Sequence, residues 1–173
     1  MINSIFIGTR LEALEALKRF TNVELIITKE DSWVFNKYHD SRNIQLIDKT
    51  NKSEIFKLLL NRKTDLVLSA GFPYILPESI LKNGALFVNS HPSLLPDYKG
   101  YDAINDALKC GEKYLGVTMH HMIDEIDAGK LIFQDKVLVE NLHIQDIYTL
   151  LFSVVEPFVI TKSLDMIIKK HFI

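Results

Sequence analysis

Two stretches of this chain, "DLVLSAGF" (65–72) and "ALFVNS" (85–90), are nearly continuous apolar runs of strand length. Runs of that kind belong to strands covered on both faces, which occur mainly in parallel sheets. Parallel strands need long crossovers, and the segments around these two supply them with helical periodicity. In "RLEALEALKRF" the residues Leu11, Leu14, Leu17 and Phe20 recur at helical spacing. Further strands are predicted at "INSIFIG" (2–8), "VELIIT" (23–28), "NIQLI", "YLGVTMHHM" and "KLIFQDKVLV". Helices are predicted at "SEIFKLLLNR" (53–62) with Ser53 as its cap, at "PESILKN" with Pro77 in its first turn, and at "YDAINDALKCG", ended by Gly111. The last 30 residues read as mostly helix, with Pro157 as a kink or break. "SWVFNKYHD" fits either state, and its Trp33 and Phe35 are expected to fill core. The alternation implies an α/β chain, residues 1–173 as a single domain, with a mostly parallel twisted sheet and helices on both faces. Ligands of such sheets gather at the carboxyl ends of the strands.

Composition narrows the chemistry. Net charge is −2, with acidic and basic residues interspersed, which argues against binding that depends on neutralising nucleic-acid phosphates or anionic lipid. No nucleic-acid or membrane partner is therefore expected. The single Cys110 excludes an internal disulfide framework, and is read as a small apolar residue near a helix end. No run reaches the length of a membrane span and Met1 leads straight into a strand-like run, so the cytoplasm is the expected compartment. Gly8, in "IGTRLEAL", stands alone after the first strand, so neither a dinucleotide fingerprint nor a phosphate loop is present.

Two polar clusters lie at the ends of apolar runs. "NSHPSLLPDYKG" (89–100) places Asn, Ser and His before two prolines, and "HHMIDEIDAG" (120–129) follows another strand. Asn89 and His91, two apart on an extended segment, project to the same side. Pro92 and Pro96 restrict the loop that follows, and a cis Leu95–Pro96 bond would suit so tight a turn. No metal is expected: His91, His120 and Asp127 lack a close ligand pair such as H-x-x-x-H, and His120 and His121 point to opposite faces of a strand.

"LFVNSHPSLLPDYKG" followed by "ALKCGEKYLGVTMHHMIDEIDAGKLIFQ" resembles the folate-dependent formyltransferases, the family of glycinamide ribonucleotide transformylase, methionyl-tRNA formyltransferase and the sugar N-formyltransferases. The shared signature is N-x-H-P-S-L-L-P, an aromatic, a basic residue and Gly, then G-V-T-x-H and I-D-A-G, in that order across residues 85 to 134. The resemblance implies a Rossmann-like formyltransferase fold and 10-formyltetrahydrofolate as formyl donor. It implies Asn89, His91 and Asp127 as the catalytic trio, with Thr118 and His120 in support. Those residue types suit the chemistry. An amide and an imidazole can stabilise the oxyanion of a tetrahedral carbon, and a carboxylate can orient the imidazole and help move a proton. By the same resemblance the donor's pterin is held by Tyr74, Ile75 and Leu76, largely through main chain, and by Asp124, Glu125 and Ile126. Ser90, Pro92 and Glu156 are implied at the acceptor, and Arg10, by its charge and its place after the first strand, is a candidate to pair with a phosphate or diphosphate there.

The acceptor itself departs from each named member. The Gly-Ser-Asn loop that holds the ribonucleotide phosphate is replaced by "GTRLEAL", and Ser153 stands where a Lys would be. Glu156 keeps the place of an acceptor-binding Glu. With tRNA made improbable by the charge and length, a primary amine on a small molecule is expected, either an amino sugar or a glycinamide-like compound. The alternatives are a folate-binding paralogue without turnover, or a formyltetrahydrofolate hydrolase. Oligomeric state is not legible.

Overall fold

The computed structural model describes residues 2–172, so Met1, which leads into the first predicted run, and Ile173, which ends the last, lie outside the described residues. Seven strands form a mostly parallel α/β sheet, with helices in the connections. The chain divides into two compact units, Met1–Val88 and Asn89–Ile173.

The first unit contains β1 (Asn3–Gly8), α1 (Leu11–Lys18), β2 (Asn22–Thr28), α2 (Trp33–Tyr38), β3 (Ile44–Leu46), α3 (Lys52–Asn61), β4 (Leu66–Ala70) and α4 (Glu78–Leu81). Its strands lie in the order β3-β2-β1-β4, all parallel. Every residue of β4 is buried, as its unbroken apolar run requires, and β1 is buried from Ser4 onward. The helix α1 buries Ala13, Leu14, Ala16 and Leu17 and packs beside β2. Gly8 has a structural reason. A Cβ there would lie 1.9 Å from the Ala70 carbonyl oxygen, the same oxygen that accepts from the Thr9 amide at 3.0 Å. Only glycine lets the two strand ends come that close.

Three local expectations change in this unit. The ambiguous segment is the helix α2, capped by Ser32, whose Oγ accepts from the Phe35 amide at 3.0 Å. It buries Val34, while Trp33 is 75% exposed and Phe35 only half-buried, so neither aromatic fills core. In α3 the cap position belongs to Asn51 rather than Ser53, and the Asn51 amide donates to the Leu46 carbonyl instead of its own helix. Pro77 is the cap residue of α4, one place before its first turn.

The strand β5 (Leu86–His91) runs from the first unit into the second, which adds α5 (Ala103–Lys109), β6 (Tyr114–His121), β7 (Leu131–Leu138), α6 (Ile144–Leu150) and α7 (Glu156–His171). β6 and β7 form an antiparallel hairpin with a register shift between Met119 and His120. Cys110 follows α5 and is exposed, so it serves no apolar packing. Pro157 does not break the last helix. A π turn, Leu151–Val155, joins α6 to α7, and its widened spacing spares the chain the α-helical bond that proline cannot donate. Among the described residues no helix is long and apolar enough to cross a membrane.

Candidate active site

The end of β5 and the β6–β7 turn bring the sequence-designated trio together within the second unit. Asn89 and His91 alternate with Ser90 along the strand, so the two functional groups share a side and the serine faces the other way. Asp127 sits in the turn after β6 with φ 51°, a left-handed conformation that Asp tolerates better than most residues. Its Oδ2 accepts from the Gly100 amide at 2.9 Å and lies 3.3 Å from His91 Nδ1. Its Oδ1 lies 3.4 Å from His120 Nε2 and 3.5 Å from Asn89 Nδ2.

Backbone carbonyls assign the protons on both rings. His91 Nε2 is 2.8 Å from the Tyr98 carbonyl oxygen, and His120 Nδ1 is 2.9 Å from that of His121. A carbonyl only accepts, so each of these nitrogens carries hydrogen. Each ring therefore turns its other nitrogen toward one carboxylate, and a second proton on either ring finds Asp127 waiting. In its neutral form His120 Nε2 accepts from Asn89 Nδ2, 3.2 Å away, which fixes the orientation of that amide. Burial alone would raise the Asp127 carboxyl. The hydrogen bond that a protonated His120 gives, the His91 charge and the Gly100 amide outweigh it and hold the group below the ordinary carboxylate range.

The surrounding residues hold this arrangement rigid. Thr118, fully buried on β6, accepts from the Leu95 amide at 3.1 Å and lies 2.7 Å from the Ser93 carbonyl and 2.8 Å from Gln134 Oε1. It thereby ties the proline loop to the hairpin. The loop contains a cis Leu95–Pro96 bond, and Pro92 begins it, half-buried. Ser90 Oγ donates to Glu156 Oε1 at 2.6 Å, and both residues are buried. Asp124, Glu125 and Ile126 stand exposed ahead of Asp127, with Glu125 3.6 Å from Lys99 Nζ.

The remaining designated residues belong to the first unit. Tyr74 is half-buried with its ring edge-on to Phe72, Ile75 is exposed, and Leu76 is buried. Arg10 occupies the cap position of α1. Sequence reasoning missed Tyr98, Gly100 and Gln134. The first two act through backbone groups inside the "DYKG" stretch, so their only signal was the signature itself. Among the described residues no group of three or more His, Cys, Asp or Glu is arranged to hold a metal ion.

The family model described as "Formyl transferase" matches residues 10–151. The chain belongs to that family. The methionyl-tRNA formyltransferase of Macrococcus caseolyticus is 34% identical over 156 residues, covering 81% of this chain and 50% of that protein. The enzyme of the same name from Staphylococcus epidermidis is 38% identical over 97 residues, 54% of this chain and 31% of that protein. The chain thus spans about a third to a half of the length of these curated relatives. A solved phosphoribosylglycinamide formyltransferase from Anaplasma phagocytophilum superposes with a TM-score of 0.82 at 27% identity, over 97% of this chain and 86% of that one. Formyl transferase architecture therefore extends along almost the whole chain, and the signature residues lie inside the matched segment.

Proposed function

We propose that this chain moves a formyl group from 10-formyltetrahydrofolate to the primary amine of a small molecule. The observation that carries the reading is the convergence of Asn89, His91 and His120 on the single carboxylate of Asp127. The donor supplies an activated formyl group on N10. The amine nitrogen bonds to the formyl carbon, the bond to N10 breaks, and the proton lost by the amine ends on N10.

The chain's own groups meet each need of that exchange. Charge that develops on the formyl oxygen is met by an N–H of the Asn89 amide and by the positive charge of a protonated His91 ring. The Asn89 N–H directed at Asp127 is the one free to be shared with a ligand, because its 3.5 Å contact lies at the outer limit of a hydrogen bond. Asp127 stabilises the protonated form of either ring and so provides a place for the proton in transit. The donor's pterin is assigned to main-chain groups of Tyr74, Ile75 and Leu76, and the loop residues Asp124, Glu125 and Ile126 are assigned to it separately. The exposure of Ile75 and of the whole 124–126 segment supports that role. The curated relatives are named for methionyl-tRNA, so the acceptor is assigned only as a primary amine, with amino sugars and glycinamide-like compounds as the small-molecule candidates.

Incubation with 10-formyltetrahydrofolate and glycinamide, with methionyl-tRNA in a parallel arm, tests the reading. Formylglycinamide should accumulate, and Asn89→Ala should lower turnover by roughly 10²–10³ while donor affinity holds. Undiminished turnover in Asn89→Ala would remove the trio from the chemistry. Formylation of the tRNA alone would replace the small-molecule acceptor.

A further inference from the structure

The signature leaves the residue between Asn89 and His91 unspecified, yet in this chain it is a serine whose hydroxyl donates to Glu156 at 2.6 Å. Ser90 is 1% exposed and Glu156 is fully buried. A carboxylate turned into the protein, rather than outward, is poorly disposed to receive an acceptor. We infer that Glu156 is instead a positioning residue, which through Ser90 fixes the end of β5 and with it the direction of Asn89 and His91. The inference rests on the proposed formyl transfer for its catalytic meaning.

The origin of the contact can be traced along the chain. Pro157 has no N–H to continue an α-helix, and its ring crowds the carbonyl four residues earlier. The helix widens to a π turn at Leu151–Val155, so that the Glu156 amide reaches back to the Leu151 carbonyl. A π turn accommodates one extra residue, which rotates everything after it by about 100° relative to an unbroken α-helix. That rotation sets the azimuth of Glu156, the first residue of α7. The turn packs against β6 and β7, which anchors its position in the unit. A carboxylate accepting a hydroxyl is a short, directional bond, and here it holds a strand residue flanked on each side by a reacting group. Since a misplacement of about 1 Å can cost roughly 10²-fold in turnover, a lock at this point has catalytic weight without touching the substrate.

Threonine and valine have nearly the same shape and differ here only in the hydroxyl, so Ser90→Thr and Ser90→Val form the test. In the full chain, NMR follows the His91 ring protons through a pH titration, with Asp127 and His120 as the ionisable neighbours facing that ring. The same variants, and Glu156→Gln, are assayed with 10-formyltetrahydrofolate and glycinamide. The expected result is a His91 titration curve displaced in Ser90→Val relative to Ser90→Thr. Turnover should be at least about tenfold higher in Thr than in Val, with KM for glycinamide alike in the two. Glu156→Gln keeps an oxygen for the Ser90 hydroxyl and should retain KM. Coincident titration curves in Thr and Val would overturn the inference, as would a Glu156→Gln variant that raises KM for glycinamide with kcat unchanged. If the unsubstituted chain forms no formylglycinamide, the glycinamide-like acceptor fails, and the titration curves still decide the positioning role.

Discussion

Gly129 closes the "IDAG" turn, and the cost of replacing it can be worked from the backbone around it. A Cβ on Gly129 would lie 1.8 Å from the His121 carbonyl oxygen and 2.8 Å from its carbon, where real contacts stay above 3.0 Å. The two segments must part by about 1.2 Å, yet the His121 amide holds them together through the Lys130 carbonyl at 2.9 Å. Relief therefore passes into Asp127 and Ala128, and draws the Asp127 carboxylate away from the Gly100 amide and both imidazoles. Overpacking of this kind costs about 1–3 kcal/mol. In a chain of this size that lowers Tm by about 2–12 °C. Displacement of Asp127 by about 1 Å should lower turnover roughly 10²-fold. Calorimetry and the glycinamide assay on Gly129→Ala measure the two effects. Gly84→Ala is the control: its φ is 101° but nothing lies within 4 Å of an added Cβ, so it should lose stability through backbone strain alone and keep its turnover. Wild-type turnover in Gly129→Ala, or an equal loss in Gly84→Ala, would refute the reasoning.

Other substitutions probe the rest of the site. Thr118→Val keeps the shape of the residue but strands the buried Leu95 amide and the Ser93 carbonyl, and should cost about 2–4 kcal/mol in chemical denaturation. The Asp127 carboxyl is held low in the folded chain, so its stabilising contribution is complete above the unfolded-state carboxyl value and fades as pH falls through the lower folded one. Acid melts should accordingly fall less steeply in Asp127→Asn. His121 is also held low, by burial and by His171, Lys170, Lys130 and His120, so its protonation opposes the fold as pH drops below about 6.5. Between pH 7 and 5, His121→Gln should lose less stability than the unsubstituted chain, and parallel melting curves would count against the assignment. Glycinamide ribonucleotide should be a poor acceptor, because the Thr9 amide and hydroxyl both serve the end of β4, at 3.0 Å to Ala70 O and 3.2 Å to Gly71 O, and Ser153 supplies no charge. A kcat/KM near ~10⁵ M⁻¹s⁻¹ on that compound would show the loop has been misread.

What could be seen in the sequence follows from what periodicity and side-chain type encode. The buried strands β4 and β5 and the helix α1 announced themselves because their apolar residues recur at the spacing of the element. Asn89, His91 and Asp127 could be picked out because the signature is written in side chains, and the structure brings the three together. Trp33 was misplaced because a six-residue helix buries one narrow face, and the face it buries carries Val34. The carbonyl of Tyr98 and the amide of Gly100 carry no side-chain signature, although they assign the His91 proton and help hold Asp127 ionised. The Ser90–Glu156 bond joins residues 66 positions apart through a π turn, and no local pattern records either.

The left-handed backbone at Asp127 sets two selective pressures against each other. At φ 51° glycine sits without strain and asparagine with little, so as far as the backbone is concerned the carboxylate is the inferior choice. A lineage kept only for a folded product would drift toward Gly or Asn here, each step easing the main chain and silencing the site. A lineage kept for turnover has to hold the acid against that drift. Under the role proposed for Asp127, the identity of this one residue offers a way to sort working copies of the fold from retired ones in a genome.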